Sequence, residues 1–317
     1  MATDKMIQRK FNESEFTLRS PHSHEYHCSL LLGNFAEHDS ITYGVNHDSV
    51  LNDIPDFNAA NGQMPQDAMH ILPEGVLPFE LKLMLKVFVS DKHYFELDDL
   101  NERLNRFVFG RNESRTKPPK AFERKHVMGD ASLRLSASQA WTFATILPLL
   151  IGHKIPEDDL NWECYLLLLE ILQVSTAKVS SVPSSHYLAA LINQYHQLFV
   201  HCYPGVKLIP KTHYLLHFPN QICRLGPLVT SWCMRMEAKN SYFKKAGRIA
   251  NFKNIAFSVA SRHQRLICGY LQANKFFGYD ELQCGPCQGL LSVSAHPKRD
   301  KILCFLQDLH PDTVISQ

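Results

Sequence analysis

The stretch SASQAWTFATILPLLIGHKIPEDDLNWECYLLLLEILQVSTAKVSSVPSSHYLAALINQYHQLFVHCYPG, residues 136–205, decides the fold. It contains three runs in which apolar side chains recur at helical spacing. Helix-starting residues precede each run, at 136–139, 156–159 and 183–185, and Pro204 with Gly205 ends the last one. Three consecutive helices of this length predict an all-helical module.

Helical spacing of apolar side chains also recurs outside this module. The other stretches with that pattern are 77–89, 96–107, 210–225, 237–247 and 254–273. Residues 1–60 have few periodic apolar positions and predict loops with one or two short strands. The β-prone residues 228–230 follow a Gly–Pro break and predict another short strand. The predicted fold class is therefore mainly α with a small β component.

The composition of the 317-residue chain is that of a folded protein, because 45% of its residues are hydrophobic and 10% are aromatic. Its apolar runs are shorter than the roughly 18 residues that a membrane span needs. The first residues are polar and charged, unlike the apolar core of a secretory signal. We therefore expect a soluble protein that has no membrane partner. We expect it in the nucleus or the cytoplasm and not among secreted proteins.

The nine cysteines have no spacing typical of a disulfide framework. Cys284 and Cys287 have the C-x-x-C spacing of thioredoxin-like redox proteins, but the surrounding sequence does not predict the βαβ unit of that motif. A zinc site there would need a second ligand pair, and only Cys304 lies nearby. The role of Cys284 and Cys287 stays open.

A basic segment lies in the carboxy-terminal part of the chain, although the formal net charge is only +2. Between Arg235 and Arg265 there are eight lysines or arginines and a single acid, Glu237. Such asymmetry predicts an anionic partner such as DNA. The alternative is a helix whose charged face is solvated and binds nothing.

Two acids are candidates for chemistry. Asp67 and His70 are three residues apart and would share one face of a helix, so the imidazole and the carboxylate could orient each other or share a metal. Glu237 stands among basic residues, which suits a carboxylate that holds a divalent cation beside bound phosphates. The plainer alternatives are a chance Asp–His pair and a local ion pair of Glu237 with a lysine.

Several longer motifs carry a resemblance to a known family. They are FNESEFTLRSPHSHEYH at 11–27, PQDAMHILPEGVLPFELKL at 65–83, LPLLIGHKIPEDD at 147–159, KLIPKTHYLLHFPNQICRLGPL at 207–228 and WCMRMEAKNSYFKKAGRIANFKNI at 232–255. In this order they resemble the transposase-like proteins of the CACTA (En/Spm-like) group of DNA transposons. The resemblance covers about residues 8–275.

The resemblance implies a ribonuclease H-like core in which three acids bind two Mg²⁺ ions for DNA cleavage, with a large all-helical insertion before the last acid. Asp67 matches the second acid, His70 completes its motif and Glu237 matches the third. The implied catalytic residues are thus Asp67, His70 and Glu237, the implied ligands of Mg²⁺ are Asp67 and Glu237, and the implied partner is DNA. The basic residues implied to contact the DNA backbone are Arg235, Lys239, Lys244, Lys245, Arg248 and Lys253.

The same resemblance divides the chain into four segments. They are a partial ribonuclease H-like core with loops at 1–76, a helical insertion module at 77–225, a return to the core with basic helices at 226–275, and a tail at 276–317.

The chain also departs from the family. Ile71 stands where a further acid is usual, Pro73 stands where an aromatic residue or leucine is usual, and the family's first acid and zinc-binding segment are expected upstream of this sequence. We therefore expect an incomplete core in a carboxy-terminal fragment that binds DNA without sequence preference and does not cleave it. The alternative is a helical scaffold or interaction module without nucleic-acid function, and a homo-oligomer or another protein partner stays open.

Overall fold

The computed structural model describes residues 11–31, 36–249 and 254–273, and these residues are mainly helical, as the sequence predicts. The α-helices in these ranges are α1 (Pro21–Leu30), α2 (Ala36–Tyr43), α3 (Ala68–Ile71), α4 (Leu77–Lys86), α5 (Leu97–Arg106), α6 (Arg124–Met128), α7 (Ala137–Ile151), α8 (Leu160–Ser175), α9 (Val182–Cys202), α10 (Pro210–Tyr214), α11 (Phe218–Leu225), α12 (Met234–Ile249) and α13 (Ile255–Gln272). The predictions for the tail at 276–317, including those for Cys284 and Cys287, lie outside the described residues.

The helices α7, α8 and α9 confirm the three helices predicted from residues 136–205. Each begins at a side chain that accepts a hydrogen bond from a free backbone N–H of the first turn, which stabilises the helix start. These capping residues are Ser136, Asp159 and Ser181. Local sequence therefore sets the starts of all three helices.

Residues 68–91 form one helical run in which α3, a π-helical turn Leu72–Val76, α4 and a second π-helical turn Val87–Asp91 follow each other directly. This run packs against α7 and α8, while α8 packs against α9 and α9 against α11. Large side chains in the resulting core are fully buried, among them Phe143, Leu168 and Tyr195. The burial of apolar surface in this module is the main stabilising contribution to the fold.

The predicted β component is wrong for the described part of the chain, in which no residue forms a strand. Leu228–Thr230 is a short 3₁₀ helix, because the Thr230 N–H donates to the carbonyl of Pro227 at 3.0 Å and closes a turn instead of pairing with a strand. Within residues 1–60, α1 begins at a capping box formed by Ser20, with Pro21 as its first residue. Only His24 is buried on α1, so the helix lacks the apolar periodicity by which it could have been predicted.

The chain divides into two compact units, Met1–Asn240 and Ser241–Gln317. The boundary lies within α12, so Glu237 belongs to the first unit. In the second unit, Phe243 and His263 stack edge to face with ring centroids 5.2 Å apart. The predicted boundaries after residues 76 and 225 lie inside the first unit, and the four-segment division stays a prediction.

Candidate functional site

Asp67 stands at the start of the helical run, where it caps α3. Its carboxylate oxygen Oδ1 accepts a hydrogen bond from the Met69 N–H at 3.2 Å. The residue before it is fixed to α11, because the Gln66 N–H donates to the Gln221 side chain at 2.8 Å and the Gln221 amide donates back to the Gln66 carbonyl at 3.0 Å. Capping is a structural role that Asp67 has whatever else it binds.

The π-helical turn Leu72–Val76 brings a further acid to the site. Glu74 Oε2 lies 3.8 Å from His70 Nε2. Gly75 in the same turn packs closely against α10, since an added Cβ atom would lie 2.4 Å from Lys211 Cδ and 2.9 Å from the His70 carbonyl oxygen. The π-helical turn can therefore lie this close to Lys211 because residue 75 is a glycine. Any larger residue at this position would displace the Lys211 side chain.

The segment before α12 joins this site from far along the chain. The Cys233 N–H donates to Asp67 Oδ1 at 3.0 Å, which fixes the start of α12 beside α3. Glu237, one turn into α12, places Oε1 at 3.5 Å from His70 Nε2. The other ring nitrogen of His70, Nδ1, contacts Asp67 Oδ2. The structure thus brings Asp67, His70 and Glu237 together, with the imidazole between the two carboxylates.

The electrostatics of the site favour a charged imidazole. The hydrogen bond with Asp67 raises the pKa of His70 against the opposite effect of burial, and the negative charges of Asp67, Glu74 and Glu237 raise it further. Burial acts to raise the pKa of Asp67, but the hydrogen bonds from Cys233 and His70 outweigh it, so the pKa of Asp67 is lowered. The hydrogen bond with Asp67 raises the pKa of the Cys233 thiol. A cation in this site would replace the proton on His70.

The donor atoms form two groups that share His70. Asp67, His70 and Cys233 form one group, and His70, Glu74 and Glu237 form the other, with the donor atoms in each within 4.8 Å of one another. The second group combines two carboxylates with one imidazole and is about half exposed, with side-chain exposures of 42% for His70 and 53% for Glu237. Carboxylate oxygens suit Mg²⁺ and Mn²⁺, and imidazole suits transition metals such as Zn²⁺.

The predicted DNA-binding residues lie along α12 where they are described. Arg235 and Lys239 are exposed in the first unit, and Lys244, Lys245 and Arg248 are exposed in the second. The remaining predicted residue, Lys253, lies outside the described residues. In either unit, exposed cations on a helix can contact phosphates without reading bases.

Sequence reasoning missed two members of the site, Glu74 and Cys233. Glu74 follows His70 by four residues, a spacing that brings side chains together on a helix, and this signal could have found it. Cys233 contributes its backbone N–H as well as its thiol, and no residue pattern predicts which distant carboxylate a backbone N–H will reach.

Comparison with known proteins adds no relative, since no family model, curated protein or solved structure matches the chain. Of the helices that the structure describes, none has both the length and the apolar character required to cross a lipid bilayer.

Proposed function

We propose that this chain is a transposase-like protein of the CACTA (En/Spm-like) group that binds DNA without sequence preference, holds one divalent cation at the His70 site and does not cleave DNA. In this proposal the helices of residues 77–225 correspond to the insertion of a ribonuclease H-like enzyme, and the proposed location is the nucleus or the cytoplasm. The cation would be Mg²⁺, with Glu74 and Glu237 as carboxylate ligands.

One observation carries the proposal. Asp67 and Glu237 are 170 positions apart in the sequence, and both contact the imidazole of His70. The family resemblance selects the same two acids for a shared metal centre. Other polar pairs as distant in sequence also meet, such as Glu13 with His217, so the proposal is supported by the agreement with the resemblance and not by the separation alone.

The position of His70 supports a single cation and argues against cleavage. Two-metal centres place their ions about 3.5–4 Å apart and use carboxylates to fix both. Here the imidazole separates the carboxylate of Asp67, on Nδ1, from that of Glu237, on Nε2. Asp67 is also engaged by the N–H groups of Met69 and Cys233. This arrangement leaves the Glu74 and Glu237 side as the place for one ion, so we propose Glu74 as a carboxylate ligand in place of Asp67, which the resemblance implies.

The cation is tested by titrating the full chain with Mn²⁺, whose electron paramagnetic resonance signal is lost on binding, followed by competition with Mg²⁺. We expect Glu237→Gln to lower the Mn²⁺ affinity at least about tenfold, because it removes a ligand charge. Glu157→Gln, an equal change at an exposed loop position, serves as the matched control. Equal Mn²⁺ affinities for wild type and Glu237→Gln would refute the proposed cation site.

DNA binding is tested by fluorescence anisotropy with labelled duplexes of unrelated sequence. We expect similar affinities for all duplexes and a steep loss of binding with added salt, because phosphate contacts release counterions. Replacing Lys244, Lys245 and Arg248 by glutamine should weaken binding to every duplex and flatten the salt dependence. No binding at low salt would contradict the proposal, and Mg²⁺-dependent nicking that Glu237→Gln abolishes would contradict the absence of cleavage.

The second candidate function is a helical scaffold that binds another protein. It is favoured by exposed apolar side chains on the helical module, of which Leu149 is 71% exposed, Tyr187 49% and Leu166 42%. Single exposed apolar residues are common on protein surfaces, so this observation weighs less than the convergence at His70. Recovery of a stoichiometric protein partner after nuclease treatment, with no DNA binding, would favour the scaffold.

A further inference from the structure

A second cluster of metal-ligating side chains lies on α1 and on the loop after α2 and shares no residue with the His70 site. His24 and Cys28 are four residues apart on α1 and therefore face the same side of the helix. Asp48, in the loop, completes the cluster, and the donor atoms of the three lie within 4.8 Å of one another. The proposed DNA-binding function uses none of these residues.

The three donor atoms form a nearly regular triangle. His24 Nε2 lies 3.7 Å from Cys28 Sγ, Cys28 Sγ lies 3.8 Å from Asp48 Oδ1, and His24 Nε2 lies 3.9 Å from Asp48 Oδ1. The centre of such a triangle is about 2.2 Å from each corner, which compares with zinc–ligand distances of about 2.0–2.3 Å. The space between these atoms therefore has the size of a coordinated Zn²⁺ ion.

The local fold brings the three residues together without a metal. The Arg19 guanidinium donates to the carbonyl of Tyr43, and the His27 ring stacks on the Tyr43 ring with centroids 4.2 Å apart, so the start and middle of α1 are joined to the end of α2. Gly44 then turns the chain with a φ of 64°, a conformation that glycine adopts without strain. The turn leads the loop back to Asp48.

Further contacts fix the Asp48 carboxylate. Its Oδ1 accepts hydrogen bonds from the Ser49 N–H at 2.8 Å and from the Asn52 amide at 2.7 Å. These contacts hold the carboxylate in position, and because both end on Oδ1, a bound ion would share that oxygen with them. The Asp48 side chain is 63% exposed, which leaves a fourth coordination position open to water.

The arrangement does not fit a Cys–His–Asp catalytic relay. In a relay the acid contacts one imidazole nitrogen and the nucleophile contacts the other. Here Cys28 and Asp48 both face Nε2 of His24, while its Nδ1 is buried without a hydrogen-bond partner from the described residues. Three donors that converge on one point are typical of a metal site.

We propose that His24 Nε2, Cys28 Sγ and Asp48 Oδ1 bind a Zn²⁺ ion, with water as the fourth ligand. A thiolate, an imidazole and a carboxylate together suit Zn²⁺ better than Mg²⁺ or Ca²⁺, which prefer oxygen ligands alone. Binding releases the Cys28 thiol proton to solvent, and the ion joins α1 to the loop that follows α2. Because Nδ1 of His24 finds no acceptor among the described residues and only three protein ligands are present, the affinity is expected to be below that of sites with four protein ligands.

The test uses the full chain, stripped of metal with a chelator and titrated with Co²⁺, which replaces Zn²⁺ and gives a near-ultraviolet absorption band when a thiolate binds it. We expect the band to saturate at one thiolate-bound cobalt ion per chain, apart from any cobalt that the His70 site takes up, and to disappear when Zn²⁺ is added. Cys28→Ser should abolish the band, and Asp48→Asn should lower the Co²⁺ affinity at least about tenfold.

Matched variants separate this site from the other thiols of the chain. Cys233→Ser, next to the His70 site, and the double variant Cys284→Ser with Cys287→Ser should both retain the band. A band that survives Cys28→Ser would overturn the proposal. Because Asp48 is largely exposed, Asp48→Asn should leave the circular dichroism spectrum unchanged, and an unaltered Co²⁺ affinity in that variant would also overturn it.

Discussion

His70 and Glu80 lie on the same helical run, yet their surroundings are opposite. His70 is about half exposed at the start of the run, where three carboxylates surround it. Glu80 lies on α4 and is fully buried in the core. Burial raises the pKa of Glu80 to about 7, and its interactions with Cys164 and Tyr195 offset only part of this rise.

The contrast shows what distinguishes a candidate binding site from a buried acid. Neither carboxylate oxygen of Glu80 has a hydrogen-bond partner of normal geometry among the described residues, so the acid is best accommodated as the neutral form. The carboxylate of Asp67 instead accepts bonds from two backbone N–H groups and contacts an imidazole, so it stays charged. Only the charged site around His70, and not the neutral Glu80, can attract a cation.

The largest expected effect is the difference in stability lost when a side chain is removed from the core around Glu80 and when one is removed from the His70 site. Leu81, the neighbour of Glu80, is fully buried, and Leu81→Ala should lower the free energy of unfolding by about 2–5 kcal/mol because it leaves a cavity. Glu74→Ala, at the half-exposed site, should lower it by less than about 1 kcal/mol. Urea denaturation of both variants measures the difference, and similar losses would mean that the His70 site is part of the structural core.

The second largest expected effect is on the pH dependence of the free energy of unfolding, to which Glu80 contributes. Between its unfolded-state pKa of 4.5 and its folded-state pKa of about 7, the native state keeps a proton that the unfolded chain has lost, so stability falls as pH rises. At about 1.4 kcal/mol per pKa unit, this loss amounts to about 3 kcal/mol.

Glu80→Gln cannot titrate, so its stability relative to wild type should increase by about 3 kcal/mol between pH 4.5 and pH 8. Urea unfolding at both pH values checks this, with Glu157→Gln as the exposed control. A constant difference between Glu80→Gln and wild type would show that folding does not raise the pKa of Glu80.

The smallest expected effect is the titration of His70, followed by nuclear magnetic resonance of its ring protons. Its raised pKa should fall in Asp67→Asn, which removes the main hydrogen bond, and fall less in Glu237→Gln, which removes only a neighbouring charge. Because the folded-state pKa is raised, the stabilisation is complete below the unfolded-state value of 6.5 and is lost as pH rises through the folded-state value.

The stabilisation from His70 should stay below about 1 kcal/mol, since the ring is partly solvated. A His70 titration that neither variant changes would contradict the contacts at this site. It would also remove the reason for expecting a cation to compete with the proton on His70.

The fold was predictable where its signals are local. The apolar periodicity and capping residues of 136–205 predict α7, α8 and α9 because helix formation depends on neighbours within a few positions. The same reasoning failed at Leu228–Thr230, where β-prone residues form a 3₁₀ helix. A three-residue run carries too little propensity to override the turn that follows Pro227.

The candidate site was predictable only in part. By itself, the sequence determined the helices that have apolar periodicity, the basic character of α12 and the position of Glu237 as the sole acid among those bases, but not α1 and α2. Only the tertiary structure decided that Glu237 reaches His70, that Glu74 joins it and that Glu80 is buried instead. The reason is that periodicity and capping act between near neighbours, while the meeting of Asp67 with residues 233–237 depends on how the helices between them pack.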